Sequence, residues 1–80
     1  MPTSTVKVDP TAVDARVDDA LLHVFLADGR EIAAPLEWFP RLRDANLEQR
    51  NHWRLIGRGR GVHWPDVGED ISVASLLRLS

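Results

Sequence analysis

The sequence contains no cysteine, which excludes disulfides and thiolate zinc sites together. It has no apolar run approaching the roughly 20 residues that cross a bilayer, so no membrane segment is expected. Met1 to Pro10 lacks the apolar centre of a signal peptide, and a cytoplasmic setting is the expectation. Serine is confined to positions 4, 72, 75 and 80, none of them on a strand-to-helix turn resembling a nucleophile elbow. No hydrolase triad is recognisable, and no histidine pair has the helical i, i+4 spacing of a zincin motif. His63, Asp66, Glu69 and Asp70 are acceptable metal ligands at short spacing. The simpler reading has His63 flanking a buried Trp64 and Asp66 opening a turn. His23 reads as a strand histidine that packs and bonds locally. The expectation is therefore a non-enzyme with no cofactor and no metal.

Eighty residues make one domain, read as a flexible tail over 1–10 and a folded unit over 11–80. A chain this short buries only about two-thirds of the surface it exposes when unfolded. Without disulfides or metal, it depends on a well-filled aromatic core, a partner subunit, or both. The net charge of −2 argues against bulk attraction to nucleic acid. That charge is unevenly spread. Residues 1–29 carry −3, residues 30–60 carry +3 through seven arginines, and residues 61–80 carry −2. Internal pairing on a wet surface is the plain explanation, and an arginine face for an acidic partner is the sharper one.

The chain centres on Trp53 to Asp66, where two apolar arms flank Gly57-Arg58-Gly59-Arg60-Gly61. Glycine reaches the positive φ a tight reversal needs, so this reads as a β-hairpin with a tryptophan on each arm. Upstream, Val13, Ala15 and Val17 alternate with Asp14 and Arg16 as a half-buried strand. Asp18-Asp19 reads as a turn, and Leu21 to Leu26 as the clearest strand. Asp28-Gly29 predicts a two-residue turn that sets Phe25 opposite Ile32 and Leu26 opposite Glu31, with the buried face of this hairpin left open. Leu36, Phe39 and Leu42 recur at helical spacing, with Pro40 in the first turn of a helix starting near Glu37. Asn46 with Gln49 forms a capping box for a second short helix over Leu47 to about His52. Asp66 to Asp70 reads as an acidic loop. Ile71 to Leu79 reads as a last helix capped by Asp70 or Ser72, with Leu76 and Leu77 inward. The fold class is α+β: a small antiparallel sheet of two hairpins carrying two or three short helices.

Several motifs match one family in order: Asp28-Gly29-Arg30, Pro35-Leu36-Glu37-Trp38-Phe39-Pro40-Arg41-Leu42 and Asn51-His52-Trp53-Arg54-Leu55-Ile56-Gly57, then Gly61-Val62-His63-Trp64-Pro65-Asp66 and Glu69-Asp70-Ile71-Ser72-Val73 with Leu76-Leu77. Over roughly residues 13–77 the chain resembles the bacterial domain of unknown function 2442 family. The resemblance implies a compact α+β fold. It also implies an antitoxin-like role, since members often look like partners in toxin–antitoxin-type gene pairs and a few are fused to DNA-binding modules. No catalytic residues carry over. The family usually has an acidic residue where Gly68 stands, so that loop is not a shared acidic site.

The expected function is a protein-interaction module that occludes a small partner encoded nearby. Its candidate contact residues are Trp38, Arg41, Arg43, Arg54, Arg58, Arg60 and His63. A nucleic-acid-binding transcriptional regulator is the alternative, with Trp53 or Trp64 stacking a base. Homodimerisation is left open.

Overall fold

The computed structural model describes residues 7–79, so the first six residues of the expected tail lie outside it. Two three-stranded antiparallel meanders follow one another, the first with strand order β1-β2-β3 and the second β4-β5-β6. The first comprises β1 (Ala12–Val17), β2 (Leu21–Leu26) and β3 (Glu31–Pro35). A 3-10 turn over Leu36–Trp38 leads into α1 (Pro40–Arg43) and α2 (Leu47–Asn51). The second meander is β4 (Arg54–Ile56), β5 (Gly61–Trp64) and β6 (Glu69–Ser72), and α3 (Val73–Leu79) closes the chain. The α+β class is as expected. The single small sheet is replaced by two, because among the described residues no strand of the first meander pairs with one of the second, and Glu69–Ser72 adds a third strand to the latter where a loop and the start of a helix were predicted.

In β1 the pairing steps from Ala12↔Leu26 to Asp14↔Phe25, so Val13 is one residue too many for its partner strand. This bulge lets Ala12, Ala15 and Val17 all face the core while Val13 is expelled to 54% exposure. Simple alternation had placed Val13 inward. The β2–β3 loop corrects a second expectation. The Leu26 amide donates to the Arg30 carbonyl at 2.8 Å and the Gly29 amide to the Leu26 carbonyl at 3.0 Å. The loop is thus three residues, Ala27-Asp28-Gly29, with Gly29 at φ +94. Val24 therefore faces Ile32 and Phe25 faces Glu31, one step from the predicted register. That step settles the buried face: Leu22, Val24 and Leu26 point inward, with Ala34 opposite Leu22.

Pro40 opens α1 as its first residue, where a missing amide costs nothing, and the preceding turn is 3-10 instead of α. At α2 both arms of the expected capping box are present: the Gln49 amide donates to Asn46 Oδ1 at 2.8 Å, and the Asn46 amide to Gln49 Oε1 at 3.0 Å. The hydroxyl of Ser72 accepts the Ser75 amide at 3.0 Å at the start of α3. Leu76 enters the core, but Leu77 is 40% exposed, against the inward placement expected. Asp9, within the predicted tail, donates its amide to Asp28 at 3.0 Å, which holds the residues before β1 to the β2–β3 loop.

One core unites the two meanders, with Trp64, Leu22, Leu36, Leu42, Val24 and Val62 its largest fully buried side chains. The Trp64 indole donates to the Arg50 carbonyl at 3.0 Å. The Arg50 guanidinium in turn donates to the carbonyls of Leu42 (3.0 Å) and Arg43 (2.8 Å) and to Asp19 (3.1 Å). Helix α2 buries none of its own residues, so these bonds are what fix it to the rest. Hydrogen bonds from a charged group contribute about 1.5–3 kcal/mol each. R50A is expected to lose about 2–4 kcal/mol, and R50K to recover less than half, because an ammonium cannot span both carbonyls and Asp19. Chemical denaturation of the three proteins checks this.

The meanders also meet where the β4–β5 loop abuts β1. A Cβ at Gly59 (φ +85) would lie 2.8 Å from the Ala12 carbonyl oxygen and 3.0 Å from Thr11 Cβ. A Cβ at Gly29 would touch nothing. G29A should therefore cost only the left-handed strain, about 1–2 kcal/mol. G59A adds a backbone clash, costing about 1–3 kcal/mol more. Thermal melts of the pair check this; equal losses would show that the loop is not seated on β1.

Candidate functional site

The candidate residues divide between two ends of the second meander. Trp38, half-exposed, precedes α1, and Arg41 on α1 donates to the Gly68 carbonyl at 2.7 Å in the β5–β6 turn. Arg43, also on α1, pairs with its neighbour Asp44 at 3.1 Å. At the opposite end the β4–β5 loop carries Arg58 and Arg60, both exposed. Between the ends, the register lines up Arg54, His63 and Asp70 across the outward face, where His63 Nδ1 bonds Asp70. The structure therefore gathers Arg54, Arg58, Arg60 and His63 on one hairpin. It does not join them to Trp38, Arg41 and Arg43.

The arginines also differ in how they are used. Arg30 is bound to Asp28, Arg43 to Asp44 and Arg50 to Asp19. Among the described residues Arg54, Arg58 and Arg60 have no carboxylate partner. Arg58 is moreover the one described residue other than glycine with a left-handed backbone, at φ 59. The Arg60 carbonyl accepts the Val73 amide at 2.9 Å, which fixes the backbone of the loop while its side chain stays in solvent.

The tryptophan hairpin is altered in its role. Trp64 is 0% exposed, and Trp53 is partly buried against the core. Base stacking on Trp64 is thus ruled out by burial, and the exposed indole is that of Trp38. The ligand-type residues of the acidic loop are also separated: Asp66 bonds His52 at 2.9 Å, while Asp70 bonds His63. Among the described residues no group of three or more His, Asp or Glu is placed to hold a metal ion.

Sequence reasoning missed the setting of His23. This side chain is 9% exposed and lies between two carboxylates, with Nδ1 2.6 Å from Glu31 and Nε2 2.9 Å from Asp18. A neutral imidazole has a single N–H, so only the imidazolium donates both bonds. The Asp18 carboxylate, then that of Glu31, raises the His23 pKa above its ordinary value, with burial and then Arg16 opposite on β1 acting against them. The Ala20 amide, then His23 and the Leu21 amide, hold Asp18 down to about 2. Glu31 reaches His23 only because the three-residue loop turns it to that face; the predicted register had set it on the other.

The profile of the family described as proteins of unknown function, DUF2442, matches residues 12–80. The chain belongs to that family. A crystal structure of a protein of unknown function from Rhodospirillum rubrum ATCC 11170 is similar, at 30% identity and a TM-score of 0.72. The match covers 85% of this chain and 84% of that one. No curated protein matches. The double meander described above is thus shared with that crystal structure.

The His23 clasp generates a pH dependence of fixed sign. A histidine whose folded pKa is raised stabilises fully below its unfolded value of about 6.5, and that contribution is lost as pH rises through the folded value. Asp18, lowered to about 2, contributes above about 3.8 and loses its contribution as pH falls. The clasp is strongest between these limits. In thermal melts from pH 5 to 9, the stability difference between wild type and H23Q should shrink as pH rises above about 6.5. A difference constant with pH would mean His23 is held neutral.

Proposed function

We propose that this chain is a non-enzymatic protein-interaction module, the antitoxin-like member of a bacterial two-protein system. It meets an acidic surface of its partner through the β4–β5 hairpin. The observation that carries this reading is the absence of a carboxylate partner for Arg54, Arg58 and Arg60 among the described residues, while Arg30, Arg43 and Arg50 are each paired. The backbone at Arg58 points the same way. An L-residue in the left-handed region costs about 1–2 kcal/mol that glycine avoids. Strain of this kind is retained where the side chain is needed for something other than stability. The antitoxin-like part of the reading rests on the family resemblance and its two-protein gene pairs, and a cytoplasmic setting is proposed with it.

The nucleic-acid reading draws on the same arginines and is weakened by Trp64 being interior, which leaves the hairpin without a fully exposed stacking platform. Phosphate contacts give a steep linear fall of log affinity with log salt, so a salt titration of any nucleic acid recovered separates the two.

The test is affinity capture of the tagged protein from its host, with proteins and nucleic acids in the eluate both identified. A stoichiometric small protein is expected. Its affinity should fall about a hundredfold in the R54E/R58E/R60E variant, because like charges set against each other at an interface cost several kcal/mol. R58G separates binding from folding: it should leave stability unchanged or raise it by up to about 1 kcal/mol while weakening the partner. Recovery of nucleic acid alone, or a partner indifferent to all three arginines, would overturn the proposal.

A further inference from the structure

The side of the hairpin that faces α3 is not flat. Three shallow cavities follow one another along that helix, each sharing residues with the next. The first, about 300 Å³, lies on the outward face of the second meander over Ile56, Gly61 and Ser75. The second, about 530 Å³, is walled by Pro10, Thr11, Val73, Ala74 and Leu77. These two share Arg60 and Ser72. The third, about 310 Å³, passes from Leu77 to Leu26, Ile32 and Ala33 on the first meander. Together they form a groove that is largely apolar around Arg60, which lines the first two cavities, and that Arg30 and Glu31 border at its far end. Its only carboxylate near Arg60 is that of Asp70, which His63 engages.

The exposure of Leu77 and Ala74 gives this groove its meaning. Among the residues of α3 whose burial is described, Leu76 and Val73 face the core. Leu77 is not needed there, yet it stays apolar at 40% exposure, at the junction of two of the cavities. An arginine with no carboxylate beside apolar surface selects a ligand that brings the missing carboxylate and apolar side chains on either side of it. Successive side chains of an extended strand point to opposite faces, so apolar residues can enter the cavities while acidic ones reach the arginines.

We propose that this groove seats an extended acidic segment of a protein partner, with leucine-like side chains in the cavities flanking Arg60 and a carboxylate on its guanidinium. This rests on the reading of the hairpin as the contact and adds the form of what it contacts.

The probe is a fluorescein-labelled, end-capped octapeptide alternating leucine and glutamate, titrated by fluorescence anisotropy and by amide shifts of the labelled protein. Two controls keep one feature each: an alternating serine–glutamate peptide and an alternating leucine–lysine peptide. The leucine–glutamate peptide is expected to shift the amides of Arg60, Gly61, Ser72, Ala74 and Leu77, and to bind at least tenfold more tightly than either control. R60E and A74F, both at exposed positions whose folding the same spectra report, should each weaken it at least tenfold. If serine–glutamate binds equally well and A74F has no effect, the groove is overturned while the hairpin's charge reading stands. If neither acidic peptide binds, both fall. Shifts of these amides with protein concentration alone would show a second copy in the groove and overturn the proposal.

Discussion

The fold depends on one arginine being used twice. Arg50 sits on α2, a helix of five residues that buries none of them and has no hydrophobic reason to stay where it is. Its guanidinium takes up two carbonyls at the end of α1 and Asp19 in the first meander. Its own carbonyl receives the indole N–H of Trp64, the largest fully buried side chain in the protein. A buried indole N–H needs an acceptor, and a helix C-terminus needs donors. Arg50 answers both needs and so ties α1, α2, the Asp18–Asp19 turn and the second meander into one unit. In a domain too small to build a deep core, polar fastening of this kind stands in for area.

That use of Arg50 also explains how to read the charge pattern. The middle of the sequence carries seven arginines and looks uniformly basic. Folding sorts them. Arg30 neutralises Asp28 at a loop, Arg50 is taken up by Asp19 and the α1 carbonyls, and Arg43 pairs with its neighbour. Arg41 closes on the Gly68 carbonyl. Of these seven, the ones left among the described residues with neither a carboxylate nor a carbonyl on the guanidinium are three on one hairpin. A basic composition is therefore not a basic face; the face is the residue left after internal pairing.

Much of the architecture was legible because it is written in local chemistry: the Asn46–Gln49 box, Pro40 at a helix start, the glycine-marked hairpins, the long apolar β2. What was not legible turns on single residues inserted or omitted. One extra residue in β1 sends Val13 out of the core. One extra residue in the Ala27–Gly29 loop moves Glu31 from the face of Leu26 to that of His23, and with it the clasp around that histidine. Strand side chains alternate with period two, so each such step inverts a whole face. Neither a bulge nor a three- against a two-residue loop has a sequence mark as strong as Asp-Gly, and Asp-Gly is common to both loop types. The strand at Glu69–Ser72 escaped for a related reason. Four residues that follow Gly68 and end on the capping Ser72 show too little alternation to be told from the acidic loop before and the helix after.

The hairpin is the place where the structure departs from what stability alone would select. Three like charges sit on one hairpin with no carboxylate bound to any of them among the described residues, which adds nothing to the stability of the fold. Arg58 holds a backbone conformation suited to glycine, between two glycines that adopt it without strain. Beside them, Ala74 and Leu77 leave apolar surface in water. None of these adds to the stability of the fold. Their coincidence at one site, next to a loop whose backbone is pinned by Gly59 on β1 and by the Arg60 carbonyl on α3, is hard to derive from folding. It follows directly if the loop is a rigid mount for side chains whose counter-charges belong to another molecule.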